Sequence, residues 1–224
     1  MTVFHRNETR EPLPEALKGG VVAIGNFDGV HRGHQSVLDR ALEIARERGV
    51  PALVLTFEPH PRTVFRPDHP VFRLTPAPLK ARLLEALGFN AVIEYPFDRA
   101  FSQRSADEFV HSILIDWLHA SEVVTGFDFH FGHDRQGGPA FLMNAGSRNG
   151  FGVTLIDAFR DENAEVVSSS RIRSCCDCAV LRCLRAARAW RSRFLRNRER
   201  GHRRRCRFRA CGCYARSLHR RRSR

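Results

Sequence analysis

Along the first 174 residues, short unbroken apolar runs alternate with stretches in which apolar residues recur every three or four positions. Val21-Val22-Ala23-Ile24 is a run of the first kind and ends at Gly25. From Gln35, Val37, Leu38, Ala41, Leu42 and Ala45 recur at helical spacing, with Asp39, Arg40, Glu43, Arg46 and Glu47 between them. The pattern predicts strand, loop and amphipathic helix, with Gly49 as the helix stop. Ala52-Leu53-Val54-Leu55-Thr56-Phe57 predicts a second buried strand, broken by Pro59 and Pro61, and Leu79, Leu83, Leu84 and Leu87 a helix closing at Gly88. Ala91 to Tyr95 is a third strand. Ser105-Ala106-Asp107-Glu108 has the form of a capping box and is followed by Phe109, Val110, Ile113, Leu114 and Trp117 on one helical face. Glu122–Thr125 and Val153–Asp157 complete five strands.

Strands separated by single helices cannot be hairpin partners. The expected fold is therefore an open α/β domain with a mainly parallel sheet and helices on both faces. About 170 residues suffice for one such core. Ligands of these sheets bind at the carboxyl ends of the strands, so the loops after Ile24, Phe57 and Thr125 are where chemistry is expected.

Charge divides the chain at the point where this pattern stops. Of 224 residues with a net charge of +13, those up to Ser174 carry 19 basic against 22 acidic side chains, whereas Cys175 to Arg224 carry 18 against 2. The basicity is a property of the last fifty residues, as are all seven cysteines. A body without cysteine excludes a disulfide framework and thiolate metal sites there, and fits a reducing cytoplasmic setting. Met1 to Gly20 is polar and mixed and no apolar run approaches eighteen residues, so neither export nor a membrane partner is expected. In the tail only seven residues are Leu, Ile, Val or Phe; so little apolar surface at such charge predicts disorder, apart from a helical continuation around Ala179 to Trp190. The expected division is thus an α/β domain over 1–174 and an Arg/Cys-rich tail over 175–224.

Gly25-Asn26-Phe27-Asp28-Gly29-Val30-His31-Arg32-Gly33-His34 joins the first strand to the first helix. Glycines at such a turn let backbone approach a phosphate, and a helix N-terminus directs N–H groups and a positive dipole end at it. His31 and His34 add donors whose charge is adjustable near neutral pH. The loop is neither a Walker loop, which needs a Lys after its last Gly, nor a G-x-G-x-x-G turn: the only lysines in the chain are Lys18 and Lys80. The plain alternative is a glycine-rich surface turn with incidental histidines.

The loop resembles the H-x-G-H signature of the nucleotidyltransferase superfamily. Its ten residues look like the FAD synthetase branch, the N-terminal module of bacterial bifunctional riboflavin kinase/FMN adenylyltransferases. Three further stretches match in order: Leu55-Thr56-Phe57-Glu58-Pro59-His60-Pro61, Gly126-Phe127-Asp128-Phe129-His130-Phe131-Gly132, and Val167-Ser168-Ser169-Ser170-Arg171-Ile172-Arg173. The last has Ser170 where the family has Thr, and the hydroxyl is kept. The resemblance covers residues from about 20 to 173 and implies a Rossmann-like nucleotidyltransferase fold.

It also implies the reaction: ATP and FMN as substrates giving FAD and pyrophosphate, with magnesium accompanying ATP. Residue by residue, His31 and His34 would donate to the phosphates as charge moves onto the leaving group, and Arg173 would bridge phosphate oxygens. Backbone around Gly25, Asn26, Phe27 and Gly33 would cradle the nucleotide. Asp28 would turn toward the metal-bound phosphates or cap the loop. Ser168, Ser169 and Ser170 would supply hydroxyls, or simply cap a helix. Asp128 would hold the ribose or adenine edge, and Gly126 and Gly132 would let backbone pass near the nucleotide. Phe65 and Phe131 would flank the flavin ring in a pocket shaped by Pro59 and Pro61; without the resemblance, Phe127, Phe129 and Phe131 read as a strand end packing the core. No protein metal site is expected, and His60, His111, His119, His130 and His133 are given no ligand role.

After Arg173 the resemblance ends. Relatives continue into a β-barrel kinase domain with a Pro-Thr-Ala-Asn motif, which does not follow here, so riboflavin kinase activity is not expected from this sequence. The switch to Arg, Cys and Ser, with Arg outnumbering Lys 35 to 2, suggests out-of-frame translation of a GC-rich gene. The tail alternatively reads as a basic nucleic-acid-binding arm through Arg203–Arg205 and Arg220–Arg222. A zinc site is a weaker third reading, because C-C-x-C and C-x4-C-x-C do not repeat a C-x2-C pair. Two classes of function follow: an FMN adenylyltransferase, active or impaired, and a basic nucleic-acid-binding protein on an α/β scaffold.

Overall fold

The computed structural model describes residues 2–5 and 12–176, which fall within the first of two units into which the chain divides, Met1–Cys176. Beyond Cys175 and Cys176, both exposed, the predicted tail lies outside the described residues, and with it the helical continuation, the zinc spacings and the arginine runs.

Six strands form one sheet: β1 (Thr2–His5), β2 (Val21–Ile24), β3 (Ala52–Glu58), β4 (Ala91–Pro96), β5 (Glu122–Gly126) and β6 (Gly152–Ile156). Their order is β1-β4-β3-β2-β5-β6, and every pairing is parallel. The five predicted strands are all present. The sixth, β1, was not legible because four residues at a sheet edge carry too short an alternation to register.

Because the strands of a covered parallel sheet are buried on both faces, successive residues serve two cores. Val22, Ile24, Leu53, Leu55 and Ile93 pack with Phe109, Val110, Ile113, Leu114 and Leu142 on one face. Val21, Ala23, Val54, Val92 and Val124 pack with Val37, Leu38, Ala41, Leu84 and others on the other face. The first core is thus closed by α5 (Ala106–Phe109), which continues as π-helix over Val110–Ile115, and by α6 (Pro139–Asn149). The second is closed by α1 (Arg32–Arg48) and α3 (Ala77–Ala86). Truncating a fully buried member such as Leu38 to Ala is expected to destabilise by about 2–5 kcal/mol.

The predicted caps are present with one shift of register. Gly49 ends α1 at φ +66°, donating to the carbonyls of Ala45 and Arg46, and Ser105 and Glu108 form both bonds of the capping box. α1, however, begins at Arg32, not near Gln35, because the His31 side chain caps it. Gly33 and His34 therefore stand in the first helical turn instead of the loop. Likewise β5 ends at Gly126, so Phe127, Phe129 and Phe131 lie on a loop and not on a strand end. α6 went unpredicted, its apolar stripe being interrupted by Asn144, Gly146 and Ser147.

The chain leaves central β2 for β3 on one side and later crosses back to β5 on the other. The loops after β2 and β5 thus diverge, and a crevice opens at the carboxyl ends of the strands between them.

Candidate active site

That crevice is a cavity of about 890 Å³ lined from the ends of β2, β3, β5 and β6, a size that holds a nucleotide and a second substrate. Its floor is the loop after β2. Gly25 is held by a bond from its N–H to the Leu55 carbonyl, and Phe27 and Val30 take φ of +47° and +38°. Such left-handed backbone at non-glycine residues is uncommon and persists only where surroundings enforce it. Here Phe27 is buried beneath the imidazole of His34, edge to face at 5.4 Å.

His31 and His34 stack with ring centroids 3.6 Å apart. The His31 Nδ1 accepts from the His34 backbone N–H at 3.3 Å, which leaves its ring proton on Nε2. Burial pushes both imidazoles below their ordinary range; for His34, burial, then the His31, Lys80 and Arg173 charges, bring the value down from 6.5 to about 3. The adjustable charge expected of this pair is thus resolved toward the neutral form. A side chain at Gly33 would sit 3.3 Å from both the His31 ring and the Val167 carbonyl. Glycine there lets the segment before Ser168 lie against the first turn of α1.

That contact brings the serine segment to the loop. Ser168 caps a helix over 169–176, accepting from the Arg171 N–H, and Ser169 donates to the Asp28 carbonyl at 2.9 Å. Both hydroxyls are occupied in structural bonds, while Ser170 and Arg173 line the cavity with them. Arg173 donates through Nε to the Phe72 carbonyl at 2.7 Å and through a terminal nitrogen to the Asp28 carboxylate.

Asp28 settles between its two expected roles. Only 1% exposed, it accepts from the N–H groups of Leu74 and Thr75 as well as from Arg173, and it is absent from the cavity wall. It ties the loop after β2 to the segment before α3 and does not line the cavity. Burial alone would raise its carboxyl, but the Thr75 and Leu74 N–H groups and the Arg173 and Arg73 cations outweigh burial and hold it below the ordinary range.

Three lysine, arginine and glutamate side chains that the sequence did not single out stand beside it. Lys80 is fully buried; its Nζ donates to Glu58 at 2.6 Å, Thr56 at 2.8 Å and the Asn26 carbonyl at 3.4 Å. Arg73 makes a bidentate pair with Glu58 at 2.6 Å per bond and lies 3.6 Å from Asp28. One signal was available: Lys80 is one of only two lysines in the chain, and a charge in the apolar stripe of a helix is out of place.

The remaining expectations sort by burial. Asp128 is exposed and lines the cavity, one oxygen lying 3.1 Å from where a side chain at Gly126 would begin. Gly132, at φ +73°, serves a close approach to Ala106, where a Cβ would meet the backbone N at 2.7 Å; packing on α5 explains it without a nucleotide. Phe131 is buried among Phe109, Phe129 and Phe141, a core residue that also lines the cavity. Phe65, in the short helix α2 (Pro61–Phe65), is 61% exposed against Phe97. Pro59 follows a cis peptide bond and does not reach the wall, whereas Pro61 does. His60 is buried, caps α2 by accepting from the Arg62 N–H, and is brought from 6.5 to about 4 by burial and then by the Arg73 and Arg173 charges.

A family model for FAD synthetase matches residues 13–171. The chain belongs to the FAD synthetase family. Among curated relatives, the bifunctional riboflavin kinase/FMN adenylyltransferase of Pseudomonas fluorescens is 42% identical over 157 residues, covering 70% of this chain and 50% of the relative. The protein of the same name from Escherichia coli K12 is 37% identical over 153 residues, covering 68% and 49%. The chain spans about half the length of the curated relatives it matches. The crystal structure of a macrolide-efflux protein from Streptococcus pneumoniae shares the fold, with a TM-score of 0.68, 27% identity, and coverage of 78% of this chain and 55% of that one. No helix among the described residues is long and apolar enough to cross a membrane.

Proposed function

We propose that the cavity is an FMN adenylyltransferase site, acting in the cytoplasm where ATP is supplied. A phosphate oxygen of FMN attacks the α-phosphorus of ATP, the bond to the bridging oxygen of the β-phosphate breaks, and FAD and pyrophosphate leave. The observation that carries this reading is the stacked His31–His34 pair at the mouth of the β2 loop. Both rings are held neutral, and the Nδ1 of His34 and the Oδ1 of Asn26 are buried without a hydrogen-bond partner among the described residues. Buried polar atoms left unpaired beside a cavity are costly unless a ligand satisfies them.

Displacement at phosphorus asks the protein for positioning and charge stabilisation. His31 donates through Nε2 to the phosphate chain, Arg173 stands across from it, and the Gly25-Asn26-Phe27 backbone forms the floor. Asp128 reaches the ribose or adenine edge, and the exposed face of Phe65 receives the flavin ring. Magnesium, when bound with ATP, would supply positive charge beside the phosphates. Asp157, an exposed carboxylate just after β6 that lines the cavity, would supply a hard oxygen ligand of the kind such an ion takes.

The full chain incubated with ATP, FMN and magnesium is expected to yield FAD and pyrophosphate, resolved by chromatography. Absence of FAD from a folded preparation that still binds ATP would overturn the assignment.

A further inference from the structure

Five ionised side chains run in alternating sign from the interior to the cavity: Lys80, Glu58, Arg73, Asp28, Arg173. Consecutive members are linked by the Lys80–Glu58 bond, the bidentate Glu58–Arg73 pair, the Arg73–Asp28 approach and the Asp28–Arg173 bond. We propose that Lys80 and Glu58 are positioning residues for the phosphate-transfer step, fixing from below the two donors that flank it, the Phe27 N–H and the Arg173 guanidinium. The inference rests on the adenylyltransferase reading of the cavity.

The first output runs through the Asn26 carbonyl, which accepts from both Lys80 and the Thr56 hydroxyl. In a trans peptide the C=O and the following N–H point in opposite directions. A carbonyl drawn toward Lys80 therefore turns the Phe27 N–H to the other side, and Asn26 and Phe27 both line the cavity. That N–H donates to no acceptor among the described residues. Phe27 itself takes a left-handed φ, and the two bonds to the Asn26 carbonyl fix the peptide plane that precedes it.

The second output runs through Arg73. Its guanidinium spans Glu58 and approaches Asp28, while the neighbouring Phe72 carbonyl and the Leu74 and Thr75 N–H groups bind Arg173 and Asp28 directly. Glu58 thus anchors the segment that holds Arg173 in place.

Two features favour positioning over a purely structural role. Buried ion pairs seldom stabilise a fold more than well-packed apolar side chains do, because removing charges from water offsets their attraction. A five-membered set beside a cavity therefore calls for another reason. The set also carries three cations against two anions, leaving one positive charge for an anionic ligand. Lysine suits the innermost place, since an ammonium has three N–H groups and three acceptors surround it.

The test compares Lys80→Met, Glu58→Gln and Thr56→Val with the wild-type chain, measuring FAD formation at varied ATP and FMN. Removing one well-placed donor to a developing charge lowers rates about a hundredfold to a thousandfold, and an indirect loss should be smaller. Lys80→Met and Glu58→Gln are expected to lower kcat by about ten- to a hundredfold, and Thr56→Val by a few-fold, with the KM for FMN unchanged. The charges facing His34 are Asp28, Lys80, Arg173 and His31. Loss of the Lys80 cation should also move the acid limb of the rate profile to higher pH, while a loss confined to kcat separates positioning from a merely structural role. In the wild-type chain, inorganic tripolyphosphate should shift the Phe27 amide resonance. Wild-type turnover with unchanged kcat and acid limb in folded variants, or a Phe27 amide indifferent to tripolyphosphate, overturns the inference. A wild-type chain that makes no FAD overturns the underlying reading instead.

Discussion

Beneath the cavity, Asp28, Glu58, Arg73, Lys80 and Arg173 are each bonded to another member of the set, and Asp28 and Lys80 have almost no exposed surface. At its rim, Phe65 and Phe127 leave 61% and 47% of their surface in solvent. The first region is organised before any substrate arrives, so its dipoles need no rearrangement when charge develops, which is the condition under which they accelerate a reaction. The second is exposed apolar surface that contributes little to the fold and that, on the proposed function, would contribute affinity for a flat aromatic ligand. Rate and acceptor affinity should therefore be separable by mutation.

The sharpest break in that comparison is His31→Ala. FAD turnover should fall by about a hundredfold to a thousandfold, while loss of the cap on α1 removes only about 1 kcal/mol of stability. Stopped-time assays beside thermal unfolding would measure both, and a variant as active as wild type removes His31 from the mechanism.

Asp28→Asn should affect both stability and rate. Breaking a buried charge pair by neutralising one partner is expected to destabilise by about 3 kcal/mol and to free Arg173, lowering turnover with it. Urea unfolding and kinetics on one preparation suffice; a loss of stability without loss of turnover would detach Arg173 from catalysis.

Acid should undo the same region first. His34 and His60 are held below their ordinary 6.5, at about 3 and about 4, so both fold in the neutral form. Unfolded histidines bind a proton below about 6.5, so this stabilisation is complete above that pH and is lost as pH falls through 4 toward 3. Asp28 and Glu58, also held below their ordinary values, add to the loss at the acid end. The melting temperature should decline from pH 6.5 downward, and a flat profile to pH 4 would contradict the buried neutral pair.

At the rim, Phe65→Ala should raise the KM for FMN about tenfold, leave the KM for ATP unchanged and leave the melting temperature within a degree or two. An equal change in both KM values would mean that Phe65 does not distinguish the substrates. The smallest effect belongs to Arg171, which pairs with Asp161 and Glu165 on the surface beside Arg173 in sequence. Arg171→Ala should leave turnover unchanged, because exposed pairs contribute little; a large loss would put the guanidinium of Arg171 in the site.

The strand and helix pattern was legible because buried parallel strands and amphipathic helices write their periods directly into the sequence. Val21–Ile24, the stripe from Val37 to Ala45 and the Ser105–Glu108 box needed nothing else. The glycine-rich loop between Ile24 and α1 was legible for the same reason, as was its family. What each of its residues faces was not. Asp28 and Asp128 are both aspartates near glycines, yet one is buried under Arg173 and the other is exposed at the cavity. Phe65 and Phe131 likewise part into rim and core. Lys80, 54 residues from the Asn26 carbonyl it binds, was out of place in its apolar stripe, but nothing local named its partners. Period and turn chemistry act between neighbours in the chain, so the sequence alone determined five of the six strands, their parallel arrangement and the loops at which the site lies. Burial and charge pairing act between elements brought together by folding, so only the tertiary structure decided which side chains meet the ligand and which hold those that do.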